Sequence, residues 1–324
     1  MLSLIKKCDE FVMEYPYDNR GYRMRAFILE FLGLYELALN DLQRENYLKN
    51  NPMAHVMKGM ILLKLGKYEN GYVSYEWRRG LTFKNNNFVE VGKNLGLPYW
   101  NGEKISKDEK LFVLFEQGFG DMIQFYRFIP YLRERGINIV IAYRDPIIDK
   151  LFRKSLEKLG VEVCNVGDKI KKEWKYYIFA MSLPHVLKIY DENDIPYKDK
   201  YLDVSDEFLD KWKNKLEFLN HSDTNSSNKT SFGVKNRKRI GIFWESEAPH
   251  EKSAFRNISF KKIKNLFNLD VEFHCLQKKL INDEKIGGYE NLYFWDDELN
   301  DFCDTAALIS QMDLVITVDT AVAH

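Results

Sequence analysis

The sequence predicts an α/β chain with an α-helical repeat at its N terminus, and three observations carry that reading. A segment within residues 1 to about 80 recurs at an offset of about 33. From Lys110 onward, short apolar runs rich in Val, Ile, Phe and Tyr alternate with amphipathic stretches of helical length, as in a parallel sheet with right-handed crossovers. A polar Ser/Asn-rich stretch from His221 to Gly233 separates two such halves, as a flexible linker would.

The totals narrow the function classes. At 324 residues the chain can hold two or three domains and bury a sizeable core. Its 48 basic and 48 acidic residues cancel, so no global field draws it to nucleic acid or to an anionic membrane. The aromatic share of 15% reads as a Tyr/Phe-rich core rather than a base-stacking platform. Cys8, Cys164, Cys275 and Cys303 form no CxxC pair, so neither a zinc site nor a disulfide framework is expected, and a reducing cytoplasm fits. The opening MLSLIKKCDEFVMEYP places acids inside its apolar stretch and lacks a small-residue cleavage site, unlike a signal peptide. No apolar run reaches the ~18 residues of a membrane span. His55, His185, His221, His250 and His274 show no ligand spacing, so no metal is assigned.

Taken in order, residues 1–80 are helical. The stretch Ala26…Phe31-Leu32-Gly33-Leu34-Tyr35-Glu36-Leu37-Ala38 returns as Met60…Lys64-Leu65-Gly66-Lys67-Tyr68-Glu69-Asn70-Gly71. Helix, Gly-x-Tyr-Glu turn and helix at this period resemble the tetratricopeptide repeat, in which stacked pairs bury the apolar face that each cannot bury alone. Leu2 to Tyr15 reads as a helix left over from a preceding unit, with Pro16 and Pro52 starting new ones. Such a unit is either a helical spacer or a groove for a protein partner. Residues 81–110 form a connector ending in Leu97-Pro98-Tyr99-Trp100-Asn101-Gly102. A first doubly wound module spans 111–220, with strands at 111–116, 137–143, 161–164 and 176–180 and helices near 121–135, 146–159, 184–190 and 206–219. After the linker at 221–238, a second module spans 239–324. Its strands fall near 239–244, 271–276, 291–295 and 314–318, the last read as buried, with helices near 259–268 and 304–311. Two such modules imply a crevice between them.

Two strand ends carry candidate chemistry. After Leu111–Glu116 comes Gln117-Gly118-Phe119-Gly120-Asp121, then an amphipathic helix. Ile123 stands where the dinucleotide fingerprint needs its third glycine, and an acid at the helix start would repel a pyrophosphate, so NAD is disfavoured. Asp121 is either an N-cap or a general base facing the crevice, with Gly118 and Gly120 allowing close approach of an acceptor. In the second module Asp319 and Thr320 follow the last strand, where an open α/β sheet keeps its ligand crevice, and Ala321 and Ala323 are small enough for close approach of a phosphate to a helix start. Asp304 reads as a helix N-cap.

Here a family resemblance enters. Glu116 through Arg127 resembles the EQGxGDxxQF(A)R motif of bacterial proteins that join tetratricopeptide repeats to a heptosyltransferase-like GT-B glycosyltransferase module. Ile240–Trp244 followed by Arg256–Ser259 resembles the family's VGLVW…RSxxL block, and Asp301–Leu308 through Val318–His324 its DFxDTAALI…VDTAxAH block. The resemblance covers residue 20 to the end and implies two Rossmann-like units, an acceptor domain and a donor domain. It also implies inverting, metal-independent transfer from a nucleotide-diphosphate sugar to a hydroxyl on a glycan or protein, with no cofactor. The base maps to Asp121, and the acceptor-side loop to Gln117, Gly118, Gly120 and Gln124. Donor contacts map to Arg256, Asp319, Thr320, Ala321 and His324, and Trp244 and Gln277 sit at strand ends facing the same crevice, Trp244 as packing or donor contact and Gln277 as a polar contact to base or ribose. Lys252 and Lys261 are substitute cations for Arg256. Relatives continue past the final histidine through another helix and strand, so the donor domain is expected to be incomplete. An alternative is a repeat-based interaction protein whose transferase module is degenerate.

Overall fold

Five helices occupy the first 75 residues of the computed structural model, which describes residues 2–81, 94–143, 145–165, 167–222, 237–246, 256–278, 286 and 288–324. They are α1 (Leu2–Glu14), α2 (Asn19–Phe31), α3 (Tyr35–Leu48), α4 (Pro52–Lys64) and α5 (Tyr68–Tyr75), each packed on the next. The recurring glycine explains the spacing: Gly33 and Gly66 have φ of 75° and 71°, a left-handed conformation that ends one helix and that L-residues with a Cβ resist. The seam is built from small residues, with Ala26, Ala38 and Ala54 fully buried beside Leu29, Leu42 and Ile61. Gly59 lets α4 and α5 touch, since a Cβ there would fall 2.6 Å from the Tyr75 backbone nitrogen. Pro52 starts α4 as expected, capped by Asn51, but Pro16 does not start α2: Asp18 caps it by accepting from the Arg20 N–H.

Strands β1 (Lys110–Leu114), β2 (Asn138–Ala142), β3 (Glu162–Cys164) and β4 (Trp174–Phe179) form one four-stranded sheet in the order β3-β2-β1-β4. Strands β5 (Arg239–Phe243), β6 (Glu272–Cys275), β7 (Leu292–Tyr293) and β8 (Leu314–Thr317) form another in the order β7-β6-β5-β8. Both place the first strand beside the last, and β1 and β5 each pair parallel to both neighbours. The strand order thus turns at β1 and β5, and ligands of open α/β sheets bind at the carboxyl ends of such strands. The connector runs along the β4 edge: Trp100 N–H donates to Tyr177 O, and Tyr177 N–H to Pro98 O.

The helices depart from expectation in instructive ways. The stretch read as 121–135 is two helices, α6 (Phe119–Tyr126) and α7 (Phe128–Glu134). Pro130 has no N–H and its ring would meet the Tyr126 carbonyl, so the helix breaks between them. Next come α8 (Asp149–Leu159), a short α9 (Leu183–Val186), α10 (Asp206–Ser222), a one-turn α11 (Phe260–Ile263) and α12 (Phe302–Ile309). Asp304 is not the N-cap of α12. Asp301 holds that place, accepting from the Cys303 and Asp304 N–H groups. Buried Asp304 instead accepts from Lys211, from Trp212 Nε1 at 3.0 Å and from Asn300 N–H at 3.1 Å. Burial pushes its carboxyl up, but those bonds outweigh it and hold the group below the ordinary range. Strand β8 is not buried: Leu314 and Ile316 are exposed, while Val315 packs in the core, because one face of this edge strand lacks cover among the described residues.

By contacts the chain forms two compact units. The first comprises Met1–Gln117, Phe128–Tyr143 and Val163–Asp199, and its sheet core centres on Phe112, Leu114, Val140, Trp174 and Phe179. The second comprises Gly118–Arg127, Arg144–Glu162 and Lys200–His324. Helix α10, which the sequence places at the end of the first module, packs Trp212 and Leu216 with Trp295, Leu299 and Leu308 in the second unit. Most of the linker falls outside the described residues. No described helix is long and apolar enough to cross a membrane.

Candidate functional site

Within the second unit the start of α6 meets the turn after β8. Gly118 has extended backbone and is the N-cap of α6, so Asp121 stands at the third helical position rather than at the cap. Its Oδ2 accepts from the Gly118 N–H at 3.1 Å, and glycine has no side chain to return the bond. The turn is a single 3₁₀ turn, Ala321–Ala323, preceded by Thr320 in extended conformation. A Cβ on Gly120 would lie 3.3 Å from His324 Cδ2 and 3.4 Å from both Ala321 Cα and Ala321 N. A side chain at 120 would require His324 or Ala321 to give by a few tenths of an ångström.

Charges gather around that contact. Arg256 donates through Nη1 to the Asp319 carbonyl at 3.3 Å, with its Nε 3.9 Å from the Asp319 carboxylate. Burial pushes the Asp121 carboxyl above its ordinary value, and Asp319 adds to the rise. The Gly118 N–H, His324 and Arg256 pull it back only in part. Burial pulls the His324 imidazole below its ordinary value, and Arg127 adds to the fall against the opposing fields of Asp121 and Asp319. His324 is exposed as a residue, and its Cδ2 comes close to the Gly120 backbone. Both groups are moved toward their neutral forms, the state of a carboxyl that can exchange protons nearer neutrality.

The residues expected at the site divide into three sets. Gly118, Gly120, Asp121, Arg256, Asp319, Thr320, Ala321 and His324 come together in the second unit. Trp244 and Gln277 do not face open space: Trp244 packs in the core, and Gln277 is not placed as an open ligand contact. Trp244 is 2% exposed among Phe260, Phe267 and Phe273, and its N–H donates to Gln277 Oε1 at 2.9 Å. Gln277 is equally buried, with no partner for Nε2 among the described residues. Both are buried at the ends of their strands, and a strand-end position predicts a crevice-facing side chain only where that side chain stays exposed. Gln117 belongs to the first unit, with φ of 68° and its Nε2 donating to the Tyr75 hydroxyl at 3.0 Å. Gln124 is exposed on α6. Lys252 lies outside the described residues, and exposed Lys261 has no ion pair to the turn among them.

Two networks went unread in the sequence. In the first unit, Arg78 donates to Glu116 at 2.6 Å, to Glu76 at 2.8 Å and to Ser182 Oγ at 2.7 Å. It is 4% exposed, so the residue that closes β1 is tied to the last turn of the repeat region by a buried ion network. Nothing in spacing signals that pair, 38 residues apart. In the second unit, Arg127 and Tyr201 flank His324. The motif ending at Arg127 was a signal for the first, and nothing marked the second. Among the described residues no group of three or more His, Cys, Asp or Glu side chains is arranged to hold a metal ion.

Among solved structures, a glycosyl transferase of family 9 from Veillonella parvula is similar to this chain at 11% identity, covering 67% of this chain and 77% of its own, with a TM-score of 0.41. A mutant O-GlcNAc transferase from Thermobaculum terrenum is similar at 10% identity, covering 98% of this chain and 78% of its own, with a TM-score of 0.28. Both are glycosyltransferases by name. No family profile and no curated protein matches the chain.

Proposed function

We propose that this chain is an inverting, metal-independent glycosyltransferase that moves a sugar from a nucleotide-diphosphate donor to a hydroxyl on a glycan or protein, with Asp121 as general base. One observation carries the reading: inside one compact unit, the Asp121 helix start lies against the turn that holds Asp319, Thr320, Ala321 and His324. A carboxylate moved upward by burial is a stronger base, and takes the acceptor proton as the hydroxyl oxygen attacks the anomeric carbon. The bond from that carbon to the diphosphate breaks, and the leaving group gains negative charge. Arg256 is the cation offered to that charge, and His324 can donate to it or position the sugar. The helical hairpins are read as tetratricopeptide-like, and the four free thiols fit a cytoplasmic setting.

A thermal-shift panel of UDP-, GDP-, ADP- and CMP-sugars tests this reading. One diphosphate donor is expected to raise the melting temperature. Asp121→Asn should keep that shift and lose transfer, whereas Arg256→Ala should weaken donor binding about tenfold, as expected for a lost charge-assisted contact. No shift with any donor, or equal loss of binding and transfer in Asp121→Asn, would sink it. A second reading, an interaction protein with a degenerate transferase module, is favoured by the burial of Trp244 and Gln277, which removes two expected donor contacts. The same panel separates the two.

A further inference from the structure

Arg127, which ends the glycine-turn motif, is a cation of the second unit that the proposed mechanism does not use. It follows the last residue of α6, half-buried, and its guanidinium is held on two sides. Its Nε donates to the Gln124 carbonyl at 2.9 Å, and its guanidinium carbon lies 4.6 Å from the centre of the Tyr201 ring. The Tyr201 hydroxyl donates in turn to the His324 carbonyl at 2.9 Å, which joins the stack to the candidate site. Many described arginines end on a carboxylate, among them Arg20, Arg23, Arg25, Arg78 and Arg153. Among the described residues Arg127 has no such partner, and its two terminal nitrogens accept no assignment to any hydrogen bond.

A guanidinium fixed by its Nε and its flat face has already lost most of its freedom. What remains is a planar fork of donors, the geometry that phosphate and carboxylate oxygens take up in pairs. Its charge acts on His324, beside Asp121 and Asp319. Two carboxylates here would disfavour an anion unless cations face them, and Arg256 is already engaged with Asp319. We propose that Arg127 is a substrate-binding residue that takes a phosphate group through its two terminal nitrogens, next to His324. This rests on the transferase reading. The phosphate belongs either to the donor's diphosphate or to a phosphorylated acceptor, and the chemistry at Arg127 is the same.

Titration calorimetry on the whole chain at low ionic strength distinguishes these sources. In one arm inorganic pyrophosphate is titrated, and in the other glycerol phosphate is titrated into protein saturated with pyrophosphate. Arg127→Gln is expected to weaken one arm roughly 10- to 100-fold, the range for a charge-assisted contact. Arg127→Lys should recover only part of it, because a point charge lacks the fork. Loss in the first arm assigns the donor, and loss in the second alone assigns the acceptor. Unchanged affinity in both arms, or no binding of either probe to the wild type, overturns the proposal. Arg256→Gln separates it from the reading beneath: if that variant binds pyrophosphate normally while Arg127→Gln does not, the donor turn is wrongly placed and Arg127 stands. Proton NMR of His324 separates lost charge from lost packing through Arg127→Lys, which keeps the charge but not the planar fork. Its pKa should rise in Arg127→Gln and stay low in Arg127→Lys.

Discussion

Replacing Arg78 with methionine removes the cation of the buried network at the end of β1. The guanidinium and Glu116 are each 4% exposed and Glu76 is 14% exposed, so the variant leaves two carboxylates with little water and no central partner. Breaking a buried pair from one side costs about 3–5 kcal/mol. Glu76 keeps Arg79 at 3.5 Å and the Tyr99 hydroxyl at 3.3 Å, so the lower end, about 3 kcal/mol, is expected. Adding Glu116→Leu should restore much of it, since an apolar pair of similar volume often matches a buried ion pair. The pH dependence has a definite sign. In the wild type, burial pushes the Glu76 carboxyl up, but Arg78 outweighs it and holds the folded pKa below the ordinary 4.5. That contribution is present above the unfolded value and is lost as pH falls through the folded one. Without Arg78 the largest opposing pull on Glu76 is gone and only the weaker pulls of Ser182 and Arg79 stand against burial, so the Glu76 carboxyl moves upward and its penalty at neutral pH shrinks on acidification. Urea unfolding at pH 7 and at pH 5 should therefore show the gap between wild type and Arg78→Met narrowing at the lower pH. A gap under about 1 kcal/mol at pH 7, typical of an exposed pair, or one that widens toward pH 5, would refute the buried-network account.

Two further expectations concern the second unit. Gly120→Val should cost about 1–3 kcal/mol by overpacking, because even its Cβ would sit 3.3 Å from His324 and 3.4 Å from Ala321. Chemical denaturation measures this, and wild-type stability would mean the turn does not rest on Gly120. Buried His274 stacks against both Tyr293 and Trp295 and accepts from Trp295 Nε1 at 3.2 Å. Burial pulls its pKa below 6.5 against the opposing pull of Glu272. The unfolded chain therefore takes up the proton first, so stability should fall as pH drops from about 6.5. His274→Gln should flatten that slope between pH 5 and 6.5, and an unaltered slope would show that His274 is not its source.

Much of the framework was legible because it is local. The eight strands and their order along the chain follow from β-branched and aromatic runs such as Leu111–Phe115 and Arg239–Phe243, whose pattern needs no partner to be read. The glycine turns at Gly33 and Gly66 were legible for the same reason. Failures came where a neighbour distant in sequence decides. Pro130 split a helix through a carbonyl four residues back, a signal that was present and overlooked. Gln277 had a strand-end position, but it lies buried with its Oε1 accepting from the Trp244 backbone N–H. Asp304 looked like a cap and proved to be an acceptor for Lys211 and Trp212, some ninety positions away.

By itself, the sequence determined the kinds of element, the place of Asp121 at a strand-to-helix turn, and the small residues that allow Gly120 and Ala321 to touch. These depend on backbone sterics and hydrophobic period, which act over a few residues. Only the tertiary structure decided which charges share a site: that Asp121 sits with His324 and Arg256, that Arg127 is held against Tyr201, and that Arg78 buries itself on Glu116. Burial and Coulomb energy depend on distance through space, and chain order does not encode that distance.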